Sequence, residues 1–244
     1  MENPAPKLPL TNSAPAFAKL PLHFEPSRLL GDLDCIPEWS WVNHFNEGYY
    51  EGTWSAVALR SPGGAQSHIY PDPASEEDFR DSQLLTKCSY IQEVIATFEC
   101  PKTSIRLMKL EANSKIREHT DLSLAYEDRE VRLHIPITTN SETEFYVDSR
   151  QVPMRVGECW YVNFNLPHSV TNNGQSARIH LVIDCVVDDW LEEVFCDMGF
   201  SRLTRNTNVA QDITEQNVER VIEELRRQNT ETANNLADEL MKRK

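Results

Sequence analysis

Between Thr103 and Asp184 the apolar positions form short runs, alternating or continuous, separated by turn residues: SIRLMKL (104–110), KIREHTD (115–121), VRLHIPI (131–137), TEFYVD (143–148), ECWYVNF (158–164) and ARIHLVIDCVV (177–187). Side chains on a strand alternate between faces, so such runs read as strands. Strands this closely spaced, with no helix between them, predict a mainly β fold, an antiparallel sandwich or barrel of the jelly-roll kind. Two helical stripes flank it. Ser89 to Gln92 has the spacing of a capping box before Ile91, Val94, Ile95 and Phe98. Asp188 precedes Trp190, Leu191, Val194, Phe195 and Met198, and Gly199 marks the stop.

Outside this region the pattern weakens. Six of the fourteen prolines fall within residues 1–26, which favours extended chain over helix or central strand. Residues 1–30 are therefore expected to form a Pro-rich leader, 31–200 the β domain, and 201–244 a helical tail. In that tail Asp212 and Glu215 suit a capping box, and Val218, Val221, Ile222 and Leu225 make a thin apolar stripe. Three uses remain open for it: a lid, a homodimer contact or a solvated helix.

Composition narrows the partners. Eight glycines spell neither a dinucleotide fingerprint nor a P-loop, and a net charge of −14 without a basic face disfavours nucleic acid and acidic membranes. No apolar run approaches the roughly 18–20 residues that span a bilayer, and no signal-peptide core is apparent. A cytoplasmic protein is expected. The six cysteines form no C-x-x-C pair and are expected to be reduced and mostly buried.

The chemistry lies in His119-Thr120-Asp121. Two residues apart on a strand, the imidazole and carboxylate face the same way and can reach one ion. His168, after a strongly β-like run, adds a second imidazole. Two histidines and one carboxylate leave coordination positions open, the arrangement suited to non-haem Fe(II). A closed zinc site would want a fourth protein ligand, for which no candidate has suitable spacing. Arg178, ten residues after His168, offers either a surface ion pair or a bidentate fork for a carboxylate. A 2-oxo acid could chelate the metal at one end and meet that arginine at the other.

These motifs, together with Trp41, His44, Gly52, Trp54, Arg106-Leu107-Met108, Arg132-Leu133-His134-Ile135-Pro136, Gly157-Glu158, Trp160-Tyr161 and Arg178 to Asp184, resemble the aspartyl/asparaginyl β-hydroxylase family. The resemblance implies a double-stranded β-helix, cupin-like, with flanking helices. It also implies iron ligation by His119, Asp121 and His168, with Arg178 binding 2-oxoglutarate and Arg132 and His134 helping to hold it. Animal members are membrane-anchored and lack the ligating carboxylate. Asp121 thus points to the soluble bacterial branch, which includes proline cis-4-hydroxylase-like enzymes.

The implied activity is hydroxylation of an unactivated C–H bond in an amino acid, or an aminoacyl or peptidyl substrate. It would use O2 and 2-oxoglutarate, release succinate and CO2, and be supported by ascorbate. The rival is a cupin-like protein that is no oxygenase, a metal-dependent isomerase or small-molecule sensor; Arg178 favours the first. Arg117 and Arg106 are candidates for the substrate's carboxylate, with rim positions as the alternative. Trp54, with Trp41, Tyr49 and Tyr50, could wall the pocket, although at least two of the four are expected in the core. His180 is expected to be a hydrogen-bonded core residue. Finally, a three-residue Asn172-Asn173-Gly174 turn with Gly174 in the left-handed region is expected to close a hairpin that pairs 168 with 178.

Overall fold

The computed structural model describes residues 15–72, 75, 77–203, 218–228 and 231–242. In chain order the strands are β1 (Phe17–His23), β2 (Val42–Asn43), β3 (Tyr50–Glu51), β4 (Trp54–Pro62), β5 (Phe79–Asp81), β6 (Lys102–Leu110), β7 (Ser114–His119), β8 (Glu130–Thr138), β9 (Thr143–Val147), β10 (Arg150–Gln151), β11 (Glu158–Val162), β12 (His168–Asn172) and β13 (Arg178–Val186). The helices are α1 (Pro26–Leu33), α2 (Ser89–Ala96), α3 (Asp189–Asp197), α4 (Val218–Gln228) and α5 (Glu231–Lys242). The strands make two antiparallel sheets, a large one ordered β1-β11-β8-β13-β6-β4-β2, with β5 on β4, and a small one ordered β10-β9-β12-β7-β3. This is the jelly-roll architecture expected from the strand pattern.

Alternation explains why the strands of the large sheet look continuously apolar. On β13, Leu181 and Ile183 join Val57, Leu59, Ile105, Leu107, Leu133 and Ile135 under the helices, against Leu29 of α1, Ile91 and Val94 of α2, and Leu191 and Phe195 of α3. The opposite face turns into the sandwich. There Val182, Ala56, Ala58 and Met108 meet Ile116, Phe145, Val147 and Val170 of the small sheet. Polar residues of the same inward parity, Arg106, Arg132, His134, Arg178, His180 and Asp184, are buried among them. Polar side chains at these depths require partners.

Several expectations change. The hairpin between His168 and Arg178 does not form: β12 pairs with β7 and β9, whereas β13 pairs with β6 and β8. The intervening residues carry the chain from one sheet to the other. Gly174 is not left-handed; a Cβ there would lie 2.3 Å from Asn140 Oδ1. The buried Asn172 fixes this crossing, its Nδ2 donating to the carbonyls of Leu110 and Ser176 and its Oδ1 accepting from Asn140 Nδ2 and Gly174 N. Ser89 does not cap α2. Instead Asp32 of α1 reaches over, its Oδ2 accepting from Ile91 N at 2.6 Å. Asp188 does cap α3, accepting from Leu191 N at 3.0 Å, and Gly199 beyond its end has φ +91°.

Residues 1–14 of the expected leader lie outside the described residues. Of the rest, β1 is extended chain on a sheet edge, its register shifting between Lys19 and His23, around Pro21, whereas Pro26 opens α1 behind the cap Glu25. Asp212 and Glu215 also lie outside the described residues, and the tail folds as two packed helices, α4 and α5, rather than one. All six cysteines are free, four of them buried. No helix among the described residues is long and apolar enough to cross a membrane.

Candidate metal centre

His119 and His168 are register partners in the small sheet, with ring centroids 4.2 Å apart. A bulge in β7 aims the first of them. Between the pairs His168–His119 and Val170–Ile116, β7 carries one residue more than β12, so Ile116 and His119 both face inward although three positions apart. The same bulge overturns the expectation for Arg117. Its side chain is half exposed and turned away, with Nε on Glu51 Oε1 at 3.2 Å and Nη1 on the Gly48 carbonyl at 3.0 Å.

Asp121 lies just past the end of β7, its backbone N–H held by the Phe164 carbonyl at 2.9 Å. One ligand atom from each of His119, Asp121 and His168 falls within 4.8 Å of the others. The two imidazoles are locked in the same tautomer. His119 Nδ1 meets the Arg117 carbonyl at 2.7 Å and His168 Nδ1 the Leu166 carbonyl at 3.0 Å. Because a carbonyl only accepts, both Nδ1 atoms carry the proton and both Nε2 lone pairs are left for a metal. Burial lowers the pKa of both histidines, His168 to about 4, so they are neutral at pH 7.

Asp121 is fixed by a buried charge network. Arg132 sends Nη1 to Asp121 Oδ2 at 3.0 Å and Nε to Asp184 Oδ1 at 2.7 Å, while Arg106 Nη2 reaches Asp184 Oδ2 at 2.6 Å. Burial would raise the Asp121 pKa, but His168, Arg132, His119 and Arg227 around it bring it to about 2. Its Oδ1 is left facing His119 Nε2 at 3.9 Å. Arg132 and Arg106 are therefore occupied by protein carboxylates, whereas the resemblance assigned Arg132 to the co-substrate and the sequence offered Arg106 for the substrate. Asp184, flagged only within the family motif, is the hub of the network.

Arg178 has no such partner. It is 3% exposed; its Nη2 donates to His180 Nδ1 at 2.9 Å, Phe145 lies below its guanidinium at 5.7 Å, and its Nε is buried without a hydrogen bond. No described carboxylate pairs with it, and burial alone lowers its pKa to about 9. His134 lies between it and His168, with Nδ1 3.3 Å from His180 Nδ1 and its ring 5.3 Å from Phe164, which in turn is 4.7 Å from the His168 ring. His134 Nε2 is likewise buried without a partner. Arg178 and His168 thus approach the same interior from opposite sheets.

Aromatic residues line the approach. Trp54 stacks on His44 at 3.6 Å, and burial brings the His44 pKa down to about 3. Tyr49 lies 5.2 Å from the His119 ring. Trp41 packs with the helices instead, under Lys109. One residue escaped the sequence reading: Arg227 of α4 donates through Nη2 to the Thr120 carbonyl at 2.5 Å and to Asp121 Oδ1 at 3.3 Å. At a separation of more than a hundred residues, no local signal marks it.

The sequence profile of the Aspartyl/Asparaginyl beta-hydroxylase family matches residues 28–187, more than half of the chain and every site residue named above except Arg227. The chain belongs to this family. Among curated relatives, L-proline cis-4-hydroxylase of Rhizobium meliloti (strain 1021) is 29% identical over 172 residues, 66% of this chain and 57% of the relative. L-proline cis-3-hydroxylase 1 of Streptomyces sp is 22% identical over 176 residues, 70% of this chain and 60% of the relative. The match thus spans less than two thirds of either relative. A solved oxidoreductase of the 2OG-Fe(II) oxygenase family from Burkholderia pseudomallei is 13% identical, with a TM-score of 0.48 over 70% of this chain and 85% of that one; no conclusion rests on that likeness.

Proposed function

We propose that this protein is an Fe(II)- and 2-oxoglutarate-dependent hydroxylase of a free amino acid, with His119, Asp121 and His168 as metal ligands and Arg178 as the partner of the co-substrate's distal carboxylate. The observation that carries the reading is the guanidinium of Arg178, buried without a described carboxylate partner in the interior that the metal ligands face. A buried charge left unpaired is costly, and a dicarboxylate bound by its other end to the metal would relieve that cost. A cupin-like isomerase or sensor has no use for such a clamp. The chemistry that iron supplies when bound is insertion of one atom of O2 into a substrate C–H bond, the other going to succinate as 2-oxoglutarate loses CO2.

The protein's own part is positioning. The backbone carbonyls of Arg117 and Leu166 orient the imidazoles. Arg132, itself anchored by Asp184, holds Asp121 by Oδ2, so that a metal would take Oδ1, the oxygen that faces His119 and accepts from Arg227. His180 steadies the Arg178 fork, and Phe145, Phe164 and Trp54 keep the interior dry, where charged contacts are strong. The relatives named for L-proline make it the first substrate to test, and an aspartyl or asparaginyl residue does not follow from the family name. The experiment is a succinate-release screen over the free L-amino acids with Fe(II), O2, 2-oxoglutarate and ascorbate. Stimulation by one amino acid supports the reading, and no 2-oxoglutarate turnover with any of them, or without them, defeats it.

A further inference from the structure

We propose that His44 is a substrate-binding residue whose Nε2–H donates to the carboxylate of the primary substrate. The inference rests on the amino-acid hydroxylase reading above and adds a contact to it. The ring is closely held. The His44 backbone N–H donates to the Trp54 carbonyl at 2.8 Å, which continues the pairing of β2 with β4 and lays the imidazole on the indole, 10° from parallel. Phe45 stacks at 4.5 Å, and Tyr50 meets the ring edge-on while its hydroxyl donates to the His44 carbonyl at 3.3 Å. The Asn46 backbone N–H donates to His44 Nδ1 at 3.4 Å. Because that group only donates, Nδ1 is the bare nitrogen, and the ring is neutral with its proton on Nε2. This is the reverse of the tautomer of His119 and His168, so His44 offers a donor where they offer lone pairs.

That donor has no hydrogen-bond partner among the described residues, and it is not sealed from solvent. The chief charges acting on the ring are those of Arg106, Asp121, His119 and Arg132, so His44 borders the metal centre and its charge network from the side of β2. Two more donors around it, Nε1 of the stacked Trp54 and Nε of Arg106, are buried without an acceptor, a costly condition. With Asp121 committed to a metal, the charges left acting on the ring are positive, since Arg106 and Arg132 share the single carboxylate of Asp184. An N–H donor in a positive field suits an anionic acceptor and repels an ammonium group. On the reading above, 2-oxoglutarate already spends its two carboxylates on the metal and Arg178. The carboxylate of the amino acid is the anion left to supply.

The test uses full-length protein loaded with Zn(II), which has no redox chemistry, and 2-oxoglutarate. The probes are L-proline and L-prolinol, or the free L-amino acid selected by the succinate screen and its amino alcohol, which keeps the ammonium group but lacks the carboxylate. Calorimetry on wild type should show the acid binding above the alcohol. His44→Phe keeps a ring on Trp54 without the donor; it should weaken the acid by roughly tenfold or more and leave the alcohol and 2-oxoglutarate little changed. His44→Gln, whose amide N–H reaches the place of Nε2, should recover part of the loss. A second measurement is independent of how the variants fold: heteronuclear NMR of wild type should show the Nε2–H tautomer, with that proton moving downfield on adding the acid and not the alcohol. Equal weakening of acid and alcohol, unchanged binding of the acid, an unmoved Nε2 proton, or no amino-acid binding by a wild type that takes 2-oxoglutarate would each overturn the inference. Wild type that fails to bind 2-oxoglutarate at all would defeat the hydroxylase reading instead.

Discussion

Replacing Arg178 by methionine should stabilise the ligand-free protein while removing its response to 2-oxoglutarate. Burial lowers the Arg178 pKa from 12.5 to about 9, which at 1.36 kcal/mol per pKa step is an upper bound of about 5 kcal/mol for keeping the cation inside. Against this stand the hydrogen bond to His180 at 2.9 Å and the distant Phe145 ring, together worth about 3 kcal/mol. Methionine is unbranched and fills a similar path, so the net gain is about 2 kcal/mol. For a chain of this size that corresponds to a rise in Tm of about 4–8 °C. Wild type should recover the difference on adding Zn(II) and 2-oxoglutarate, because a ligand at a hundred times its Kd stabilises by about 2.7 kcal/mol. Differential scanning fluorimetry of both proteins, with and without the pair, gives the answer. A variant that melts below ligand-free wild type, or that gains the same shift from 2-oxoglutarate, would refute the reasoning.

Asp184→Ala leaves Arg106 and Arg132 buried without their shared carboxylate and should lower stability by about 3–5 kcal/mol in urea titrations, with weaker metal binding as Asp121 loses its anchor; a loss under about 1 kcal/mol would show the network to be dispensable. Acid should destabilise the metal-free protein through His168, whose pKa burial depresses from 6.5 to about 4. A folded state that resists protonation keeps its full contribution above pH 6.5 and loses about 3 kcal/mol by pH 4, so urea midpoints that stay flat over that window would contradict the buried neutral imidazole. Arg117→Leu should cost less than about 1 kcal/mol, as exposed pairs do, and leave amino-acid and 2-oxoglutarate affinities unchanged; a selective loss of substrate binding would restore it to the pocket.

What could be read from the sequence followed from periodicity. The six apolar runs became β6, β7, β8, β9, β11 and β13, ligand atoms of His119, Asp121 and His168 lie within 4.8 Å of one another, and Arg178 is buried. The errors share a physical origin. Parity arguments assume unbroken strands, and the extra residue in β7 turned Arg117 outward while keeping His119 inside. The hairpin expectation assumed that neighbouring strands pair, whereas Asn172 and Gly174 mark a crossing between sheets, which in sequence looks like a turn. The partners of Arg132 were also hidden. Only packing reveals that Asp184, on the neighbouring strand, and Asp121, past a strand end, both reach it. Arg227 lies on a separate helix beyond the family's matched region, so neither spacing nor resemblance could place it.

The central claim, that one interior holds both a His119–Asp121–His168 metal and a 2-oxoglutarate clamped by Arg178, is tested most directly by anaerobic titration of 2-oxoglutarate into the Fe(II)-loaded protein, followed by the visible charge-transfer band of a chelated 2-oxo acid. Wild type should develop the band saturably with one equivalent of iron. Asp121→Ala should fail to hold the iron, and Arg178→Met should hold it but require 2-oxoglutarate at concentrations higher by orders of magnitude, in keeping with the loss of a buried charge partner worth about 3–5 kcal/mol. No band in wild type, or the same titration curve in all three proteins, would contradict the account.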